Sequence, residues 1–536
     1  MFRTPALIAC LLAALLGFLV ASGREAEHTR GIGRGPDRAG GRTERCVSCH
    51  VKHDEDPGGA HSTAALGCAS CHLGNTLAFD KERAHEGLER EPGALSTVAL
   101  TCGREGCHAR ESARVATSPM TRGAGMVAVD RFAFGEIAEP DGTRTIAEVL
   151  AAAHPTPAES HLRKLCAGCH LGARRENRDD LINGNGSGCA ACHVARRLDD
   201  KPRPHPPVDS RVTDDRCLGC HSGSGRIALS YRGLVEVEKD EPFAHAAPDV
   251  HQTAGMACID CHLHTDLMGD GVARTHKEDQ VEITCEACHG PVPEGGEIAW
   301  SEVSDEISRE IRKRERRREE EDSLGKGKRE SRTPDAPTRL GRRGTPLRDL
   351  LRNSSSFFSS SFPAWVLIRK LDGVALPVKQ TPRDRNHTLR GHERLSCSAC
   401  HAAWVPTCDS CHTSFSSSGS RWDFAAGQET PGGWTEKSGP FAAAPPLLGA
   451  RADGKIVPAQ YGMVLTIDAT AAGGSKTSRR LIAPAEPHTT GKKARTCESC
   501  HRATPSPEFD AGTRRGFRAL DAAERGRVAA ARLERR

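Results

Sequence analysis

The sequence predicts a mostly irregular and α-helical fold, with short helices packed around bound groups and minor β structure in inserts. Three observations predict it. A cysteine–histidine motif recurs eleven times. The stretch holding the copies, Cys46 to His501, spans 456 residues, or 456/11 ≈ 41 per copy. Aromatic residues make up only 4% of the chain. With 37% apolar residues and 54 glycines, a large aromatic core is excluded, so the bound groups must supply much of the interior.

The motif is Cys-x-x-Cys-His. It stands at Cys46-Cys49-His50, Cys68-Cys71-His72, Cys166-Cys169-His170, Cys189-Cys192-His193, Cys217-Cys220-His221, Cys258-Cys261-His262 and Cys285-Cys288-His289. It returns at Cys397-Cys400-His401, Cys408-Cys411-His412 and Cys497-Cys500-His501. A wider variant, Cys102-Cys107-His108, has four residues between its cysteines and needs a bulged loop. These sites use 22 of the 23 cysteines; the remaining one is Cys10. In this motif the two thiols form thioethers to the vinyl groups of a haem, and the adjacent histidine ligates the iron. A zinc ribbon also pairs Cys-x-x-Cys knuckles, but zinc does not require histidine directly after the second cysteine. A disulfide framework is equally indifferent to it. All eleven sites carry that histidine, so the prediction is haem c, covalently bound, 11 per chain. Cys408 follows His401 by only seven positions, which places two sites close together.

Residues 1–23 read as a signal peptide, which accounts for Cys10. Arg3 is followed by an apolar run, Ala6 to Ala21, and by the small residues Ala21-Ser22-Gly23. An uncleaved anchor is the alternative, although the run is shorter than the ~20 residues of a span. Export agrees with haem attachment outside the cytoplasm, in the periplasm or at the cell surface, with membrane association left open. The formal charge of +5 does not signal nucleic acid: eleven haems bring 22 propionates, and 5 − 22 = −17. The 75 lysines and arginines are then partners for propionates and a solvated surface.

Along the chain, residues 24–45 form a flexible lead-in and 46–295 an eight-haem module with turn signals at Gly184-Asn185-Gly186 and Lys201 to Pro204. Residues 296–362 are a charged, low-complexity insertion or linker. Val303, Ile307 and Ile311 offer a narrow apolar stripe there, either a docking helix or a solvated one. Residues 363–505 form a three-haem module. It contains a hairpin turn at Leu371-Asp372-Gly373 and a loop-rich insert at 420–487, with a strand pair within Ile456 to Ile467. Residues 506–536 form an Arg-rich helical tail. The Cys397–His412 double motif reads as the junction between the two modules.

Eleven of the 25 histidines belong to motifs, leaving 14. Such a surplus is accounted for by a second histidine on each iron. His61, His161, His205, His251, His276, His392 and His488 each lie 5 to 12 residues before the first cysteine of a motif. Chance gives about three or four such placements. His85, His154, His264 and His387 complete a set of eleven; His28, His53 and His245 are spare. His53 and His264 follow motif histidines too closely to reach the opposite face of the same haem. Met120 is a competing ligand or a gap-filling side chain, with Met126 behind it; Met256 and Met268 read as packing.

The region from about 46 to 501 resembles the large multihaem c-type cytochromes of anaerobically respiring bacteria. Beyond the bare motif, the run Cys217 to Tyr231 (CLGCHSGSGRIALSY) and Trp404 to Cys408 (WVPTC) are similar to stretches of exported members. The resemblance implies a multihaem cytochrome c fold of short helices around stacked haems. It also implies electron transfer between the inner-membrane quinol oxidation system and a terminal acceptor outside the cytoplasm. Implied partners are other redox proteins (periplasmic or membrane cytochromes) and an extracellular acceptor; a separate reading is a filament-forming cytochrome in which histidines of one copy ligate haems of the next, with a spare histidine near a terminus, such as His28, as its signature. The outer-membrane decahaem and undecahaem family differs in its longer chains and β-barrel domains. An electron-transfer conduit is therefore expected, with no catalytic residue. The alternative is a multihaem oxidoreductase of the nitrite, hydroxylamine or sulfur-compound type with one open iron. Fourteen candidate ligands for eleven irons argue against that alternative.

Overall fold

The computed structural model describes residues 37–39, 42–50, 59–172, 187–194, 206–222, 227–236, 243–281, 283–290, 338–339, 365–379, 381–382, 384, 386–460, 463–486, 488–501, 509–520 and 524. The signal peptide, most of the lead-in, most of the 296–362 insertion and most of the Arg-rich tail lie outside them, as do His28, His53 and His205. Among the described residues no helix is long and apolar enough to cross a membrane.

The chain divides into two compact units. One comprises residues 1–112 and 184–210, the other 113–183 and 211–536. This differs from the expected division into 46–295 and 363–505. Motifs of the anticipated eight-haem module fall in both units, and the double motif lies within the second unit rather than at a junction.

The first unit is built from single helical turns and loops, with Ala69, Ala94, Val98 and Ala191 buried. Its local order comes from caps. Glu44, 2% exposed, accepts hydrogen bonds from the Cys68 and Ala69 amides and so satisfies the start of the turn Ala69–His72.

The second unit holds α1 (Ala124–Ala133), α2 (Ile146–Leu150) and α3 (Pro157–His161). Reciprocal capping boxes, Thr145 with Glu148 and Thr156 with Glu159, start α2 and α3. Gly123 ends the turn Pro119–Arg122 at φ +60 and lets α1 begin at once; a side chain there would be both strained and 3.2 Å from the His170 ring.

These helices pack on an eight-stranded sheet made of β1 (Ser410–Asp423), β2 (Gln428–Ser438), β3 (Leu447–Ala450), β4 (Ile456–Gln460), β5 (Val464–Asp468), β6 (Lys476–Pro484), β7 (Ala511–Gly512) and β8 (Arg518–Ala519). The order is β2-β1-β5-β6-β4-β3-β8, with β7 beside β6. Pairing is antiparallel except β5 with β1 and β7 with β6. Trp434, on the edge strand β2, is fully buried, edge-on to Phe134 and Phe415, and its Nε1–H donates to Ser160 Oγ at 3.2 Å.

The expectation of a loop-rich 420–487 insert with only minor β structure is thus corrected. β1 and β2 are rich in serine, glycine and threonine and bury few side chains, so their apolar alternation is weak. Their order comes from the backbone ladder, which composition does not report. The segment Ile456 to Ile467 does contain two strands, but β4 and β5 pair with β6 rather than with each other. The turn at Leu371 to Gly373 joins the antiparallel strands Trp365–Ile368 and Ala375–Val378 as expected.

Candidate metal centres

Ten of the eleven motifs fold as one compact turn. Eight do so in helices: Cys46–Cys49, Ala69–His72, Ala190–His193, Asp215–His221, Cys258–Cys261, Cys285–His289, Cys397–His401 and Cys497–His501. The ninth is a 3-10 turn at Ala167–Cys169. The histidine amide closes the turn onto the first cysteine carbonyl: His50 to Cys46 (3.0 Å), His72 to Cys68 (2.9 Å), His193 to Cys189 (3.0 Å) and His262 to Cys258 (3.0 Å). Positions i, i+3 and i+4 of a helical turn share a face, so both sulfurs and the imidazole are offered to one side. Polar side chains cap these turns. Asp214 accepts from the Cys258 amide at 2.9 Å, and Ser396 from the Ala399 amide at 3.1 Å.

The wide motif reaches the same closure. The His108 amide donates to the Cys102 carbonyl at 2.9 Å, as in the regular motifs. The two extra residues are taken up in a bulge where Gly106 stands at φ +81 with open space around it.

Six motif histidines face a histidine from outside the motifs. In the first unit the pairs are His50–His85 and His61–His108, both with ring centres 6.0 Å apart. In the second they are His251–His289 (6.0 Å), His262–His488 (6.1 Å), His387–His401 (6.3 Å) and His392–His501 (5.9 Å). Aromatic rings in direct contact also fall in this range. A first-row metal lies about 2 Å from an imidazole nitrogen, itself about 1.2 Å from the ring centre, so two imidazoles flanking one metal have centres roughly 6.3 Å apart.

The outward nitrogens of several of these rings are engaged by oxygen acceptors. His289 Nδ1 is 2.6 Å from the Lys379 carbonyl, His72 Nδ1 2.8 Å from that of Glu89, and His193 Nδ1 3.0 Å from that of Asp209. Among the facing rings, His251 Nδ1 meets Asp249 (2.8 Å), His387 Nδ1 meets Asp384 (2.8 Å) and His488 Nδ1 meets the Glu486 carbonyl (3.0 Å). A carbonyl only accepts, so Nδ1 carries the proton and Nε2 is left as a lone-pair donor, the arrangement of a ligating histidine. Burial, then the neighbouring His262, pushes His488 down to about 4, which keeps it neutral and able to donate.

Four of the six facing histidines precede one motif in sequence and meet another: His61, His251, His392 and His488. His387 meets the motif it precedes. The other expected ligands are placed differently. His161 is a correction: it is buried between Asp130 (Nδ1, 3.1 Å) and Glu436 (Nε2, 3.2 Å), so both nitrogens are engaged by carboxylates. Burial pushes it down, but the Asp130 charge and both hydrogen bonds raise it to about 10. A ring held as imidazolium has no lone pair for iron. His154 is exposed; His276 Nε2 lies 3.6 Å from Asp141; His264 opens the helix His264–Met268. The Met120 carbonyl accepts from the Leu171 amide, next in sequence to His170. Met256 packs with Leu367 and Val378.

The motifs also meet through their sulfurs. In the first unit the thiols of Cys46 and Cys68 share a hydrogen bond, as do those of Cys102 and Cys189, with Cys71 near Cys102 and Cys107. In the second, the Cys217 and Cys258 thiols share a hydrogen bond, Cys261 lies near Cys288, the Cys285 and Cys397 thiols share a hydrogen bond, and Cys400 lies near Cys500. These contacts link four motifs in the first unit and five in the second (Cys217, Cys258, Cys285, Cys397 and Cys497), alternating between first and second cysteines. Among the described residues, the one group of three ligating atoms within 4.8 Å is Glu44, Cys46 and Cys68, which is not the four-ligand set of a zinc knuckle pair.

No family model, no curated protein and no solved structure matches this chain.

Proposed function

We propose that the chain is an exported multihaem c-type cytochrome that conducts electrons in anaerobic or extracellular respiration. The observation that carries this reading is the six histidine pairs. Each joins a motif histidine to a histidine elsewhere, at the spacing of two imidazoles on one metal.

Bound haem supplies one-electron redox chemistry. The chain's own residues attach it, saturate it and hold it. Paired cysteines on one face of a turn provide the covalent anchors. The second histidine of each pair would complete the ligand set and keep substrate or water off the metal. Asp249, Asp384 and the carbonyls of Lys379 and Glu486 fix the imidazole orientation. The sulfur-to-sulfur contacts place successive sites next to one another, as a conduit requires. Its partners are other redox proteins, from the quinol oxidation system at one end to the acceptor at the other.

Carbon monoxide distinguishes this reading from an enzyme with an open iron. Added to the reduced, haem-loaded protein, it should leave the visible spectrum unchanged. A change amounting to one haem or more would favour the oxidoreductase.

A further inference from the structure

The tenth motif folds unlike the other ten. Cys408 follows the strand Val405–Thr407, and Cys411 and His412 are the second and third residues of β1. β1 is an interior strand. Cys411 stands opposite Ser438 of β2 on one side and Leu465 of β5 on the other, and His412 opposite Lys437 and Thr466. Successive side chains of a strand point to opposite faces, and burial alternates accordingly: Cys411 buried, His412 exposed, Thr413 buried, Ser414 exposed. Cys408 is 4% exposed and packs with Val235, Trp404 and Phe441; its thiol donates to the Gly439 carbonyl at 3.1 Å.

We infer that Cys408, Cys411 and His412 take no haem, that the two thiols are packing residues of the sheet, and that the chain carries ten haems. The inference rests on the haem reading of the other ten motifs. Attachment together with ligation needs the second sulfur and the next imidazole on one side of the same ring. A compact turn provides this; two adjacent residues of an extended strand do not. Refolding 408–412 into such a turn breaks ladders on both sides of β1 and withdraws Cys408 from its apolar cluster. Cys397 and Cys400 reach Cys285 and Cys500 without any contribution from the tenth motif.

The test is peptide mapping of the full haem-loaded chain. After unfolding, chymotryptic cleavage following Trp404 separates the Cys397/Cys400 peptide from the Cys408/Cys411 peptide. The first should carry the mass of a haem. The second should carry none and, after reduction, should take up two alkyl groups. A haem on the Cys408/Cys411 peptide would overturn the inference. Haem missing from every motif peptide is a different result, and it would overturn the haem reading beneath it. A second measurement is haem content by pyridine haemochrome. Replacing both Cys408→Ala and Cys411→Ala should leave it at ten per chain, whereas Cys397→Ala with Cys400→Ala should lower it by one. Loss of one haem from the first double variant, if it folds, would contradict the inference.

Discussion

His251 and His289 face each other with ring centres 6.0 Å apart, and each is held from behind by an oxygen at Nδ1, Asp249 at 2.8 Å and the Lys379 carbonyl at 2.6 Å. An acceptor behind each Nδ1 leaves Nε2 as the lone-pair nitrogen of both rings. Replacing His251 by alanine should open one iron. Electron paramagnetic resonance of the oxidised variant should gain a high-spin ferric signal worth one haem, and the reduced variant should bind one carbon monoxide. Asp249→Asn keeps the shape of the back partner and removes its charge. It should keep the site low-spin and raise its potential, because a neutral partner makes the imidazole a weaker donor.

Trp434 is the best-buried aromatic side chain of the second unit. Trp434→Ala removes its contacts with Phe134, Phe415 and Ile467 and leaves Ser160 without its donor. A loss of about 3–5 kcal/mol is expected from a large-to-small change in a core. Denaturant unfolding should show it, with haem content unchanged.

The His161 charge makes a pH prediction. Its folded value is raised to about 10, above the unfolded value of about 6.5. Its contribution to stability is therefore complete below about pH 6.5 and is lost as pH rises through about 10. His161→Gln should cost roughly 3–5 kcal/mol near neutral pH, since Asp130 is left buried without its partner. It should also flatten the alkaline limb of stability against pH. Urea midpoints between pH 6 and 11 check both outcomes.

Gly106 supplies the positive φ that lets the wide motif close. A β-branched residue there meets no neighbour, so the cost is backbone strain alone, of order 1–2 kcal/mol. Gly106→Val should lower haem occupancy at Cys102 and Cys107 in the peptide map and leave the other sites unaffected.

Much of the candidate site was legible because covalent attachment demands two thiols and a histidine at fixed spacing, whatever surrounds them. The histidine surplus was legible for the same reason. The pairing was not. His488 meets His262 and His85 meets His50 through tertiary folding, and nearness to a motif in sequence does not say which motif His61, His251, His392 and His488 face. His161 looked like a ligand by spacing alone; the carboxylates of Asp130 and Glu436, distant in sequence, change its chemistry. The sheet was the least legible part of the fold. β1 and β2 present serine, glycine and threonine where a half-buried strand normally shows apolar alternation, and the ladder that orders them leaves no mark on composition. The same ladder turned a motif identical in spelling to its neighbours into a strand.

The central claim is that the irons of this chain are closed by two histidines. Low-temperature electron paramagnetic resonance of the fully oxidised, haem-loaded protein tests it most directly. The expected spectrum is low-spin ferric throughout. A high-spin ferric signal accounting for one haem or more would contradict it.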